Sequence, residues 1–358
     1  MRLDIYIQDV VEKKYGVKLS RTYVERLLEK GGVTFQNEVI KKKGFSFDPG
    51  KRVPELNEEL VKNMLSVYQT GKRQDEEADA WDASEMGIEL DEARVKKAAD
   101  IRPYIILETD DILAVNKPPG VSSHPGKGDR GADSMVYQFI KYMRQAHKYI
   151  PRAGLLHRLD KDTQGILLFA KNMQTYNEVK AQFEQRQLQK HYFAVCKKNN
   201  VLQSNLKQQL AFLHKNNIEL RRFTEYGSTV EAIEQITHMQ RPVKLDGFIG
   251  RRRGTPFMVY THDPEVAEKL VGSKNCYSDV YIVFEDETQL QLLFVPHTGR
   301  THQIRAQARY LGCSVVNDRV YGDKDTLGGT LGLYAVAVNL TSKGEKIEIA
   351  LPIEKILS

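Results

Sequence analysis

Paired apolar runs, helices threaded between them and an ordinary soluble composition make this 358-residue chain an α+β protein. A central, mixed and mostly antiparallel sheet is expected, flanked by helices and loops, with a small α/β unit ahead of it. Residues 104–107 and 112–115 flank the polar turn Glu108-Thr109-Asp110-Asp111, and residues 279–285 and 289–295 flank Asp286-Glu287-Thr288, both in the manner of hairpins. Strands over 165–171 and 191–197 enclose a helix over 174–186. With 41% hydrophobic and 28% charged residues the chain can bury a sizeable core, and large-scale disorder is not expected.

The elements follow in order. Residues 1–55 form the N-terminal unit. Leu3, Ile7, Val10 and Val11 give one helical stripe. Ser20 is a good N-cap for a second helix whose face carries Val24, Leu27 and Leu28, and Gly31-Gly32 ends it. Val33-Thr34-Phe35 and Val39-Ile40 then flank Gln36-Asn37-Glu38 as a short strand pair, followed by Lys41, Lys42 and Lys43. Residues 56–103 read as an acidic linker that holds the only tryptophan, Trp81, with a helix over 60–67 and disorder expected around 73–92. The larger unit spans 104–358. Its stretch 203–278 carries Arg221-Arg222, Arg251-Arg252-Arg253 and a helix over 264–271.

Net charge is +6. Residues 75–92 hold nine acids and no Lys or Arg; setting them aside leaves 53 basic against 38 acidic residues, a balance of +15. That surplus suits a polyanionic partner, although solubility alone would also account for it. Cys196, Cys276 and Cys313 lie far apart in sequence without a C-x-x-C pair, so they read as reduced structural thiols. No apolar stretch is long enough to span a bilayer, and Met1-Arg2-Leu3-Asp4 lacks the apolar core of a secretory signal. A cytoplasmic location with no membrane partner is the expectation.

Chemistry concentrates in His157-Arg158-Leu159-Asp160-Lys161-Asp162-Thr163-Gln164-Gly165, directly ahead of the apolar run 166–170. Polar residues at the mouth of a buried strand are a common place for reacting groups, although a lone loop aspartate is more often a turn residue or a cap. Tyr192 stands in the alternating run Lys190 to Val195, sharing a face with Lys190 and Ala194. Such a tyrosine is either core packing or a platform for a base. Thr298-Gly299-Arg300-Thr301-His302-Gln303-Ile304-Arg305 runs from a turn into a helix that Thr298 or Thr301 can cap. His302, Arg305 and Arg309 then share one face, and Ile304, Ala308 and Leu311 another.

Taken in order, these blocks resemble the RluA family of RNA pseudouridine synthases over residues 104–358. The resemblance rests on Asn116-Lys117-Pro118 with Gly120, His124-Pro125-Gly126, the H-R-L-D-x-x-T-x-G pattern from His157 to Gly165, Lys190 with Tyr192, and Thr298 to Arg305. Residues 1–55 resemble the S4-type RNA-binding domain through Arg2-Leu3-Asp4, Ser20-Arg21, Leu27-Leu28, Gly32-Val33 and the three lysines. The resemblance implies the pseudouridine synthase fold and isomerisation of uridine to pseudouridine in structured RNA, with the base flipped out and no cofactor or metal. Asp160 would act on the sugar as a charge stabiliser, a nucleophile or a base. Arg305 would pair with it, and Tyr192 would stack on the uracil. RNA contacts are expected from His157, Arg158, Thr163, Lys190, Arg300, His302 and Gln303, and further out from Arg21, Lys41, Lys42, Lys43, Arg251, Arg252 and Arg253.

Ribosomal RNA of the large subunit is the expected partner ahead of transfer RNA, for a monomer that does not act on DNA. The alternatives are a non-catalytic RNA-binding ribosome-assembly factor and, more distantly, a hydrolase using Asp160 and Asp162 as strand neighbours. The chain departs from the family pattern at Gln164, where serine is usual, at Asn317-Asp318 for Gly-Asp, and at Leu333-Tyr334-Ala335 for Leu-His-Ala. The last two read as packing changes. The long stretch 203–278 is expected to add RNA-binding surface or a lid.

Overall fold

The computed structural model describes residues 3–15, 24, 27–28, 31–36, 38–40, 45–50, 53–59, 61, 92–125, 133–143, 150–199, 201–255, 257–322 and 329–356. The chain divides into two units, Met1–Ser84 and Glu85–Ser358. In the first, helix α1 (Leu3–Tyr15) buries Leu3, Ile7 and Val11 against Val24, Leu27, Leu28 and Val33. Strands β1 (Val33–Phe35), β2 (Glu38–Val39) and β3 (Glu55–Leu56) make an antiparallel sheet in the order β2-β1-β3. β3 is two residues long, too short to leave a period in the sequence. Ser20, Arg21, Lys41, Lys42 and Lys43 lie outside the described residues, as do Trp81 and nearly all of the acidic stretch. Of the helix expected over 60–67 only Val61 is described, and it is helical and buried.

The second unit opens with α2 (Glu92–Lys97), β4 (Ile105–Glu108), β5 (Ile112–Lys117) and α3 (Met135–Tyr142). It continues through β6 (Gln164–Ala170), α4 (Met173–Glu184), β7 (Gln189–Lys198), α5 (Ser204–Lys215) and α6 (Thr229–Met239). Next come β8 (Val243–Arg251), β9 (Met258–Thr261), α7 (Pro264–Glu268), β10 (Val271–Glu285) and β11 (Gln289–Pro296). The chain ends on α8 (Gln303–Leu311), β12 (Cys313–Val315), β13 (Leu333–Ser342) and β14 (Glu345–Ala350). An 11-stranded sheet runs in the order β4-β5-β6-β13-β7-β11-β10-β8-β9, with β12 beside β7 and β14 beside β13. Among the strand pairs of the described residues only β6–β13 is parallel. The expected mixed, mostly antiparallel sheet with flanking helices is therefore what the chain forms.

Alternation along β7 divides the core as the pleat requires. Phe193 and Val195 pack into one cluster, while Ala194 and Cys196 pack into another together with Ile304, Ala308 and Leu311 of α8. Ser134, Asn172 and Ser228 cap α3, α4 and α6 through their side chains. Ile101, inside the segment expected to be linker, is fully buried beside β5 and α3.

The stretch 203–278 supplies α5, α6, α7, β8, the edge strand β9, and the first half of β10. Its predicted helix over 264–271 stops at Glu268, because Val271 already belongs to β10. Cys196 and Cys313, 117 positions apart in sequence, meet in the interior through the pairing of β12 with β7. Burial and this contact hold the Cys196 thiol protonated, so sequence distance understated their proximity while the reading as inert thiols matches their burial.

Candidate active site

Asp160 sits in the loop ahead of β6, and both of its neighbours are pinned. Ser123 Oγ donates to the Leu159 carbonyl at 2.8 Å and accepts the Leu159 N–H at 2.9 Å. On the other side the Lys117 ammonium donates to the carbonyls of Pro118, Val121 and Lys161, each at 2.8 Å. Gly120 N–H also reaches the Lys161 carbonyl, and Thr163 N–H closes the turn onto the Asp160 carbonyl. Lys117 is fully buried at the end of β5. Burial pulls its pKa down to about 7 against the opposing pull of Asp162 and Asp160. The resulting turn leaves the Asp160 side chain 25% exposed, so it is both held and reachable.

Gly165 sets where this loop lies. Its φ is +118°, and a Cβ there would stand 2.3 Å from the Ala335 carbonyl oxygen. Only glycine allows β6 to run this close to β13. Ala335 is paired with Gly165 on one side and with Tyr192 on the other, which places Tyr192 one strand beyond the loop. Tyr192 is half-buried; burial and the Asp160 charge both raise its pKa, so it stays a phenol. Tyr192 and Ala194 line the same core cluster, as expected. The Lys190 ammonium instead lies 5.4 Å from the centre of the Phe183 ring, and burial lowers its pKa to about 8.

Arg305 is the third residue of α8. Its Nη1 is 3.5 Å from Asp160 Oδ2, the pairing the sequence suggested. Its main partner is another residue. Nε and Nη2 grip the two oxygens of Asp318 at 2.7 Å each. Asp318 Oδ1 also accepts the N–H groups of Val320 and Tyr321. Burial alone would raise the Asp318 pKa, and these bonds more than reverse it. The packing reading of Asn317-Asp318 bears on Asn317 alone, because Asp318, unchanged from the family pattern, is the anchor of Arg305. Asn317 has φ +61°, a conformation that asparagine tolerates nearly as well as glycine, which explains the exchange. Tyr334, by contrast, does pack in the core, against Phe193.

His302 Nε2 lies 3.8 Å from the same Asp160 oxygen, and its Nδ1 is 3.1 Å from Tyr321 Oη. Tyr321 was not singled out in the sequence. Its side chain is buried, with the Arg305 guanidinium 5.2 Å from the ring centre, and its carbonyl accepts from Arg309. His302, Arg305 and Arg309 thus do share a face, and Tyr321 is what that face meets. The helix is not capped by Thr298 or Thr301. Its N-cap is His302, with φ +54° and no side-chain cap, while Thr298 Oγ1 donates to Gln303 Oε1 instead.

The other expected contacts scatter. Arg158 is exposed beside Asp160. His157 is buried, accepts the Leu168 N–H through Nε2, and burial pushes its pKa down to about 3. Thr163 is buried in the turn. Arg300 donates to the Asn275 carbonyl. Gln303 bonds Thr298, Tyr277, Ser278 and the Arg300 N–H, and so builds the turn instead of facing the site. Arg251, Arg252 and Arg253 are exposed at the β8–β9 turn, and Arg251 is near enough to depress the His302 pKa. Asp162 is exposed in the turn, before β6 begins, so it shares no strand face with Asp160 as the hydrolase alternative required. Among the described residues no group of His, Cys, Asp and Glu is arranged to hold a metal ion, and no helix is long and apolar enough to cross a membrane.

Comparison with known proteins matches the sequence of this chain to a family. Residues 111–310 fit the family described as RNA pseudouridylate synthase. The chain is 30% identical over 270 residues to ribosomal large subunit pseudouridine synthase C of Vibrio parahaemolyticus, covering 73% of this chain and 69% of that protein. It is 26% identical over 249 residues to ribosomal large subunit pseudouridine synthase D of Borreliella burgdorferi, covering 67% of this chain and 62% of the relative's own length. Among solved structures, human RNA Pseudouridylate Synthase Domain Containing 4 aligns over 73% of this chain and 93% of its own at 16% identity and a TM-score of 0.48. With more than half of its residues inside the family match, among them Asp160, Tyr192 and Arg305, the chain belongs to the RNA pseudouridylate synthase family.

Proposed function

We propose that the chain isomerises uridine to pseudouridine in structured RNA, with the large-subunit ribosomal RNA named for its relatives as the substrate class. One observation carries the reading: a reachable carboxylate, Asp160, has two nitrogens near a single oxygen, with Arg305 Nη1 at 3.5 Å and His302 Nε2 at 3.8 Å from Oδ2. Oδ1 is left to meet a ribose. In the reaction the bond from N1 of uracil to the sugar breaks, the base turns, and C5 bonds to the anomeric carbon. The C5 proton leaves to solvent and N1 regains one, so no redox partner or group donor is consumed.

Asp160 would attack the anomeric carbon or take a sugar proton, with the Arg305 guanidinium beside it. Tyr192, kept as a phenol, would stack on the displaced base, an interaction worth about 1–3 kcal/mol. Flipping the uridine from its stack costs a few kcal/mol, and exposed Arg158 would help offset this. The first unit would act as an S4-type RNA-binding domain. Tritium release from RNA labelled at C5 of uracil tests the proposal, using ribosomal and transfer RNA separately with Asp160→Ala as control. Release from ribosomal RNA by the unsubstituted chain alone is expected. Binding without release from either RNA would overturn it in favour of an assembly-factor role.

A further inference from the structure

The β8–β9 hairpin belongs to the stretch 203–278, and it reaches the site. Met258 N–H, at the start of β9, donates to Tyr321 Oη at 2.9 Å, and the Phe257 ring meets Tyr321 edge-on at 5.9 Å. A phenol has one proton and two acceptor lone pairs. Oη accepts from Met258 and still carries its own proton, which it can give to His302 Nδ1, 3.1 Å away. Burial raises the Tyr321 pKa to about 12, so that proton is present. Burial, with help from Arg305 and Arg251, outweighs Asp160 and Asp318 and lowers the His302 pKa, so the imidazole is neutral. A neutral imidazole that accepts at Nδ1 carries its proton on Nε2. The opposite tautomer would turn a bare Nε2 lone pair toward the Asp160 carboxylate at 3.8 Å. His302 is also held in the left-handed region, at φ +54°, a conformation that persists only where its surroundings enforce it.

We propose that Tyr321 is a positioning residue that passes the hydrogen-bond direction of the β8–β9 hairpin to His302, fixes its proton on Nε2, and so aims that N–H at Asp160. This rests on the isomerase reading for the role of Asp160. The hairpin thereby becomes a wall of the site as well as a carrier of arginines: whatever binds its tip presses on the residue that orients His302.

Long-range 15N–1H correlation spectra of the full chain read the His302 tautomer directly. The unsubstituted chain is expected to show a neutral ring protonated on Nε2. In Tyr321→Phe that single tautomer should be lost, with kcat down on the order of ten- to a hundredfold at unchanged KM. His302→Gln, whose amide N–H can take the place of Nε2–H, should keep part of the activity. Adding Tyr321→Phe to it should cost nothing more. A proton on Nδ1 in the unsubstituted chain, an unchanged tautomer in Tyr321→Phe, or additive losses in the double variant would overturn the proposal. The first spectrum decides even if Tyr321→Phe does not fold. Should the unsubstituted chain form no pseudouridine in any RNA, the isomerase reading falls while the spectra still judge the positioning role.

Discussion

Asp318 and Asp160 reach the same guanidinium from two loops, 316–322 and 157–163, and the two pairings are made differently. The Asp318 side chain is fully buried, takes both of Arg305's parallel N–H groups at 2.7 Å, and is satisfied further by two backbone amides. Asp160 is a quarter exposed and meets the remaining nitrogen at 3.5 Å. A bidentate, desolvated pair fixes where the arginine is; a longer, partly wet pairing lets the second acid change partner. One cation therefore serves as a structural member on one side and an electrostatic neighbour on the other, and the difference lies in how many lone pairs each acid has already committed.

Substituting each acid in turn should separate the two roles. Asp160→Asn is expected to abolish turnover, by on the order of ten-thousandfold or more. It should leave urea stability within about 1 kcal/mol, since Arg305 keeps its main partner. Asp318→Asn is expected to strip the buried cation of its charge partner and cost about 3–5 kcal/mol of stability, read from the urea midpoint. If both variants lose stability alike, Asp160 is as structural as Asp318 and the contrast collapses.

Lys117 sharpens the contrast from the Asp160 side, because it holds that loop without touching its carboxylate. Lys117→Met keeps much of the volume and removes the donor from the partly buried Pro118 and Val121 carbonyls, while the Lys161 carbonyl keeps the Gly120 N–H. An acceptor left unpaired away from water costs about 1–3 kcal/mol. The expected result is a lowered melting temperature with a larger proportional fall in kcat than in KM. A variant with normal kcat would show that the loop keeps its shape without the lysine.

Acid should loosen the same loop through His157, where it begins, and through His191 on β7. Burial pushes their pKa values down to about 3 and about 4, whereas an unfolded chain protonates histidine near about 6.5. Below that pH the unfolded state binds more protons, so this stability is complete above about pH 6.5 and is lost progressively as the pH falls toward 4. Melting temperatures measured from pH 7.5 to 4.5 should fall across this window. His157→Gln with His191→Gln should flatten the slope; an equally steep fall in that variant would assign the acid sensitivity to other groups.

The strand pairs, the helix between β6 and β7, and the two faces of α8 were legible because alternation and the 3.6-residue period are local signals. Asp160, Tyr192 and Arg305 stood out through their motif neighbours. Asp318, Tyr321 and Lys117 carry their importance in pairings that no period encodes. Asp318 looks like a turn aspartate, Tyr321 like a core aromatic, and Lys117 like a charge at a strand end. Asn317 hid the first of these by standing where the family pattern has glycine. Lys117 stood in the Asn116-Lys117-Pro118 block of the resemblance, but its full burial cannot be seen in sequence. Gln303 misled in the other direction: its place inside the Thr298–Arg305 run suggested an RNA contact, whereas its amide is spent inside the turn.

The smallest expected effect concerns arginines of the opposite kind to Arg305. Arg251, Arg252 and Arg253 are exposed at the hairpin tip and make no ion pair among the described residues, so their charge is available to a phosphate. Arg305, committed to Asp318, has no such freedom. Replacing the three by alanine should weaken RNA binding evenly across sequences. The slope of log affinity against log salt should fall by about 0.7–0.9 for each phosphate the arginines had neutralised. Stability should stay within about 0.5 kcal/mol, as for surface changes generally. Because Arg251 also bears on His302, Arg251→Ala alone should alter kcat more than Arg252→Ala or Arg253→Ala. An unchanged salt slope in the triple variant would take the hairpin tip out of the RNA interface and leave Tyr321 as its only link to the site.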